Sequence, residues 1–243
     1  MTSERDFPGR MASHCVYAFS TLADGNMSLT SGDTAVSLVN RENFFWKLKV
    51  DYARVVMPRQ VHGCRVEKVT VAHTGRGAKR ADTGLADTDA IITGTRDLCM
   101  AILVADCSPV FLVDAKTPSA GLVHAGWKSC RQGICGSAVA RMRDEFGSSP
   151  ADISALLGPC IRACCYRVSE EFRKVFPASV KVRGGELFMD LAGENRRQLL
   201  AAGLSPENIF DTGACTCCSG EDYFSYRRQG ESCGRQAAVL MLR

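Results

Sequence analysis

The chain has 243 residues, 46% of them hydrophobic and 23% charged, an ordinary globular composition that excludes a disordered chain. Thirty basic residues against 26 acidic ones leave a net charge of +4, spread along the chain, which argues against a nucleic-acid binder with its concentrated basic patch. The 13 cysteines are odd in number, the start (MTSERDFPGR) is polar, and no apolar run approaches the roughly 20 residues that cross a bilayer; together these predict reduced thiols, a cytoplasmic compartment and no membrane partner.

No repeat or low-complexity linker divides the chain, so it reads as one domain over 1–243. Short runs, most of them rich in Val, Ile and Leu, predict strands at 54–57, 66–72, 90–93, 100–105, 110–113 and 120–124. The polar, Gly-rich and basic stretch 73–84 (HTGRGAKRADTG) reads as an exposed loop. Segments 101–106 and 109–114 face each other across Cys107-Ser108, which predicts a tight hairpin with Pro109 at its exit. A helix is expected over 127–146, closed by Gly147, and a strand over 153–157. Ser169 with Glu170-Glu171 opens a helix to Phe176, and Asp190 caps another over 191–202, ended by Gly203. Strands at 208–212 and 236–242 complete the chain. Strands and helices interleave without a βαβ repeat, which favours an α+β fold with a mixed sheet and helices outside it.

The chain has only four histidines. His14 carries no motif and His73 sits in the polar loop. His62 lies where the chain turns after a Pro58-led segment. His124 ends the apolar run 120–123 and precedes a predicted helix, and Cys107 likewise ends an apolar run. Side chains at the ends of buried strands converge on crevices where sites collect. Two imidazoles and one thiolate suit Zn²⁺ with an open fourth position. The same set matches the equatorial ligands of a copper electron-transfer site, and spacing alone leaves both open beside a plain structural role.

The ordered motifs resemble the YfiH family, also called the laccase-domain or polyphenol-oxidase family. They run from Gln60-Val61-His62-Gly63 and Ala86-Asp87-Thr88-Asp89-Ala90 to Ala105-Asp106-Cys107-Ser108-Pro109 and His124-Ala125-Gly126-Trp127. They continue through Gly158-Pro159-Cys160-Ile161, Cys165-Tyr166-Arg167-Val168 and Asp190-Leu191 with Asn195-Arg196. They end at 224–228 (FSYRR) and Gly234-Arg235-Gln236, covering about residues 54 to 243. The resemblance implies a layered αββα sandwich with mixed sheets, related to the catalytic domain of cytotoxic necrotizing factor toxins. It implies a zinc site on His62, Cys107 and His124, with copper as the alternative. It further implies phosphorolysis of adenosine, inosine and methylthioadenosine, plus adenosine deamination. The partners are then a purine nucleoside and phosphate, on a monomer or weak homo-oligomer.

Within that resemblance His62, Cys107, His124 and Asp106 are the expected catalytic residues, Asp106 as an orienter or proton acceptor beside the thiolate. Arg235, Arg227, Gln60 and Asn26 are the expected substrate and phosphate contacts, with Arg228 a further candidate, because guanidinium matches phosphate in a bidentate way. The family usually carries an Arg where Leu22 stands here, and Arg-Gly where Lys128-Ser129 stands. Cys160, Cys164 and Cys165 with Cys215, Cys217 and Cys218 invite a second metal site on weak spacing. Two rivals accompany the zinc enzyme. One is a copper-dependent, laccase-like polyphenol oxidase, restricted to a single-copper redox protein because four histidines cannot supply the trinuclear cluster of a multicopper oxidase. The other is a Cys107–His124 dyad, a hydrolase or deamidase that does not need His62.

Overall fold

Alternation along the strands sets the architecture. In β5 (Ser108–Asp114) Val110 and Leu112 join one apolar cluster while Phe111 and Val113 join another. The same period of two divides β3 (Ala90–Thr93), where Ile92 faces the first cluster and Ile91 the second. These strands are buried on both faces, so they read as continuous apolar runs. The computed structural model describes residues 13–219 and 222–243.

A six-stranded mixed sheet carries β5 and β3 at its centre. Its order is β11 (Ile209–Asp211), β7 (Ile153–Leu157), β5, β6 (Ser119–Ala125), β3 and β2 (Val66–Lys68). Its first face is covered by α3 (Ile134–Phe146) and α5 (Leu191–Ala201), which bring Ile134, Ala138, Met142 and Leu199 into the first cluster. Its second face packs on a three-stranded antiparallel sheet of β1 (Cys15–Phe19), β12 (Gln236–Leu242) and β4 (Met100–Val104). The far face of that small sheet meets α1 (Thr34–Lys47) through Phe44 and Phe45. Helix, sheet, sheet and helix thus stack as an αββα sandwich, an α+β fold. A further small sheet, β8 (Arg167–Val168), β10 (Glu186–Met189) and β9 (Val180–Arg183), flanks it together with the short helix α4 (Glu170–Val175). No helix among the described residues is long and apolar enough to cross a membrane.

Several expectations are corrected. Strands β4 and β5 do not form a hairpin. β4 pairs with β12 in the small sheet, β5 with β6 and β7 in the large one, and the chain crosses between sheets at 105–107. Both strands are apolar along their middles, so local pattern does not say which sheet each joins. The helix expected over 127–146 divides into α2 (Trp127–Arg131) and α3, because Gly133 adopts a left-handed conformation with φ of 78°. Segment 54–57 makes only isolated bridges at Val56, and β2 stops at Lys68 before a 3₁₀ turn over 71–73. Loop 73–84 is exposed at its tip, but Gly77 and Ala78 are buried, their carbonyls accepting from the buried Arg41 of α1. Helix α1 itself, capped by Asp33, escapes pattern reading because Val36, Val39 and Trp46 lie exposed opposite its buried residues.

Candidate metal centre and active-site pocket

The crossover between sheets places Cys107 beside the end of β6. In the β5–β6 pair Pro109 lies opposite His124 and Ser108 opposite Ala125, so the same register sets Cys107 against Gly126. A Cβ on Gly126 would sit 2.7 Å from Cys107 Sγ and 3.2 Å from His62 Cδ2, so only glycine lets the three groups approach. The ligand-capable atoms of His62, Cys107 and His124 lie within 4.8 Å of one another, and the two imidazole rings meet edge to face at 4.8 Å.

Asp89 organises this group. It is fully buried at the entry to β3, next to the end of β6, where its carbonyl accepts from the His124 N–H at 2.7 Å. Its Oδ1 accepts from His124 Nδ1 at 2.7 Å and from the backbone N–H of His62 at 2.9 Å. Its Oδ2 accepts from the N–H groups of Val61 and Gly63 at 3.1 and 2.8 Å. One carboxylate therefore holds the His62 turn, where His62 has φ of 59°, and fixes the Nδ1–H tautomer of His124, leaving Nε2 for a ligand. Burial alone would raise the Asp89 pKa, but the His124 ring and these N–H donors hold it below the usual carboxylate range. Sequence reasoning assigned Asp89 no role. Its signal was a charged residue at the entrance to an apolar strand.

Burial would push the Cys107 thiol up, yet the facing His124 and His62 imidazoles bring it down to about 6. Burial would likewise depress His124, but the Cys107 sulfur and Asp89 raise it to about 9. The pair is therefore a thiolate facing an imidazolium near neutral pH, the electronic state of a ligand set ready to exchange a proton for a cation. Two imidazoles, one thiolate and a carboxylate behind one histidine fit a tetrahedral zinc. All the ligand-capable atoms lie within 4.8 Å of one another, close enough to converge on one ion.

The group opens on a cavity of about 700 Å³. Arg41, Arg59, Lys128, Arg227 and Arg235 line it against a single acid, Asp106, so the wall favours an anion. Trp127, Tyr166 and Tyr226 supply aromatic surface. Arg227 Nη1 donates to the Cys165 and Arg167 carbonyls, and its guanidinium lies 5.2 Å from the Tyr166 ring. Arg235 is anchored by Nη1 to the Cys233 and Gly234 carbonyls and lies 5.9 Å from the Tyr226 ring. Asp106, with φ of 79°, accepts from the Thr216 hydroxyl and the Arg227 N–H, both at 2.6 Å, so its two oxygens tie loops behind the pocket. Gln60 lines the cavity with its amide paired to both backbone groups of Leu103.

Asn26, Arg228 and Leu22 are not among the lining residues. Asn26 holds the following loop through Ser28, Ser31 and the Arg235 N–H. Arg228 clips the carbonyls of Thr216, Cys217 and Tyr223. From the N-terminal part of the chain the wall instead takes Ser28, Leu29, Thr30 and Arg41, none of which the sequence singled out as site residues.

A family model described as multi-copper polyphenol oxidoreductase laccase matches residues 12–243. "Purine nucleoside phosphorylase YlmD" of Geobacillus stearothermophilus is 33% identical over 225 residues, 88% of this chain and 82% of that protein. "Adenosine deaminase RL5" of an unknown prokaryotic organism is 31% identical, covering 84% and 81% of the two chains. The crystal structure of Bacillus licheniformis hypothetical protein YfiH superposes with a TM-score of 0.88 at 31% identity, over 94% of this chain and 93% of that one. With the sandwich and the motifs that line its crossover already in place, these matches show that the chain belongs to the laccase-like YfiH family.

Proposed function

We propose that the pocket binds a purine nucleoside together with phosphate and cleaves the glycosidic bond by phosphorolysis, with adenosine deamination as a second activity of the same cavity. The observation that carries this reading is one cavity with a His62–Cys107–His124 group on one wall and an excess of basic side chains around it. The names of the relatives, a purine nucleoside phosphorylase and an adenosine deaminase, point the same way. A 700 Å³ cavity suits a nucleoside-sized ligand with a small anion beside it.

His62, Cys107 and His124 would hold the metal, and zinc bound there supplies Lewis acidity. Phosphorolysis forms a bond from a phosphate oxygen to the anomeric carbon as the bond to the purine nitrogen breaks. The electron pair leaves with the base, which takes up a proton. Arg227 and Arg235 hold the phosphate against that carbon, where positioning and charge neutralisation supply most of the rate. The aromatic wall of Tyr166, Tyr226 and Trp127 takes the purine face. Asp89 keeps the proton on His124 Nδ1, and Asp106 acts as a positioning residue for the Arg227 segment.

A second reading has a specific observation behind it. Asp89, His124 and Cys107 line up as carboxylate, imidazole and thiolate, the arrangement of a nucleophilic hydrolase. Incubating the zinc-loaded protein with inosine and phosphate separates the two. Formation of hypoxanthine and ribose-1-phosphate, lost in His62→Ala, supports phosphorolysis at the three-ligand group. Undiminished turnover in His62→Ala overturns it in favour of the dyad, and absence of phosphate-dependent cleavage overturns it outright.

A further inference from the structure

Outside the pocket, Cys164, Cys165, Cys215 and Cys218 bring four sulfurs to within 4.8 Å of one another. They come from two loops some fifty residues apart in sequence that the backbone stitches together. The Cys160 N–H donates to the Ala214 carbonyl, and the Thr216 N–H donates to the Cys160 carbonyl. On sequence alone both cysteine clusters come together, but on spacing taken as weak, which passes over the C-x-x-C of Cys215 and Cys218; Cys160 and Cys217 are not part of the sulfur group. In the C-x-x-C turn the Ser219 N–H closes on the Cys215 carbonyl at 3.0 Å.

We infer that these four cysteines form a second, structural zinc site distinct from the His62–Cys107–His124 group. Two features support it. The first is size. Zinc–sulfur bonds of about 2.3 Å in a tetrahedron place the sulfurs about 3.8 Å apart. Cys164 Sγ and Cys218 Sγ already stand at 3.7 Å, which is contact distance for co-ligands and well beyond the ~2.05 Å of a disulfide. An all-sulfur set selects zinc or iron over harder ions.

The second feature is charge. Zinc binding releases four thiol protons and leaves a tetrathiolate of net charge −2. Four guanidinium groups already bind the carbonyls of these two loops. Arg183 donates to Cys164, Arg227 to Cys165, Arg228 to Thr216 and Cys217, and Arg162 to Ala214. Among the described residues, Arg162 alone of these four has a carboxylate partner, in Asp211. The surroundings thus offset the charge that the site acquires. Zinc there would fasten both loops beneath the Arg227 and Tyr166 wall of the pocket, while Thr216 ties the same turn to Asp106.

The test uses the full chain, purified under reducing conditions, stripped with a chelator and titrated with Zn²⁺ or Co²⁺ alone. The wild type should take up two ions per chain. His62→Ala/Cys107→Ser should keep one, and its cobalt form should show the intense visible bands of tetrahedral tetrathiolate coordination. Adding Cys164→Ser and Cys218→Ser should remove that ion; both residues are exposed, so the core is untouched. In otherwise unaltered protein, zinc should protect Cys164 and Cys218 from alkylation, read by peptide mass spectrometry. A His62→Ala/Cys107→Ser protein that folds but binds no ion, or one whose cobalt form lacks thiolate bands, overturns the inference. So does a Cys164–Cys218 disulfide that persists under reductant. These readouts are independent of nucleoside turnover, so this site and the proposed activity can fail separately.

Discussion

The two groups of metal-capable side chains are held in opposite ways. His62, Cys107 and His124 hang from strand ends whose register the cores on both faces enforce, and a buried carboxylate fixes the one turn that is not strand. The four cysteines sit on loops: Cys164 and Cys218 are exposed, Cys165 is half-buried against the large core and Cys215 is buried, and hydrogen bonds to backbone carbonyls hold the loops. The first group is organised before any ion arrives. The second is only gathered, and an ion would contribute much of its order. Metal binding is folding free energy wherever the site is incompletely formed, so the loop group should show the larger stabilisation by zinc and the strand-end group the larger sensitivity to its supporting residues.

Asp89 is where that comparison breaks most sharply. Asp89→Ala strands four donors, including the His124 ring, in a fully buried position. Removing one side of a buried charged network costs about 3–5 kcal/mol, which urea denaturation of the metal-free protein would read. The milder Asp89→Asn should keep the fold while metal affinity at the first group falls about 10–100-fold, measured by competition with a chromophoric chelator. An Asp89→Asn protein with wild-type affinity would mean that the strand ends alone orient the ligands.

Gly126→Ala tests the register itself. The added methyl would meet Cys107 Sγ at 2.7 Å, and both neighbours are pinned, one by β5 and the other by Asp89. Overpacking of this kind costs about 1–3 kcal/mol, and a chemical melt should show the loss together with weaker metal binding. The equivalent loop change, Cys164→Ser, touches nothing in the core. Stability of the metal-free protein should stay within about 0.5 kcal/mol of wild type, with the difference appearing only when zinc is added. A large loss without metal would show that the loops are packed rather than merely gathered.

How much of this was readable follows from the same contrast. Positions 90–93, 120–124 and 153–157 announce themselves as strands because they are apolar on both faces. The same uniformity made β4 and β5 look like partners, since nothing local distinguishes two sheets from one. The turn that separates them rests on Asp106 in a left-handed conformation, which its residue type permits without advertising. Asp89 lay in a quoted motif, but its four acceptor bonds join segments that only the fold brings together. Arg41 was similarly hidden. A buried arginine on a helix reads as surface until the carbonyls of Met27, Gly77 and Ala78 close around it.

The smallest expected effect on stability separates the two groups by chemistry. In the unfolded chain Cys107 titrates near the ordinary 9.0 and His124 near 6.5; folded, they stand at about 6 and about 9. The depressed thiol alone would contribute stability above pH 9 that is lost as pH falls through 6. The raised imidazole alone would contribute stability below pH 6.5 that is lost as pH rises through 9. Between pH 6.5 and 9 the unfolded pair carries its one proton on sulfur and the folded pair carries it on nitrogen. Proton counts then match, and linkage gives a slope near zero for this pair across the window. Reactivity behaves differently, because the thiolate is the nucleophile. Alkylation of Cys107 in the metal-free protein should therefore rise with a midpoint near 6, while the pair itself leaves the pH dependence of unfolding flat between 6.5 and 9. Asp89→Asn weakens the imidazolium and should move that midpoint upward. A Cys107 midpoint near 9 in the wild type would show that the imidazoles do not hold the thiolate, and the distinction between an organised and a gathered group would then rest on geometry alone.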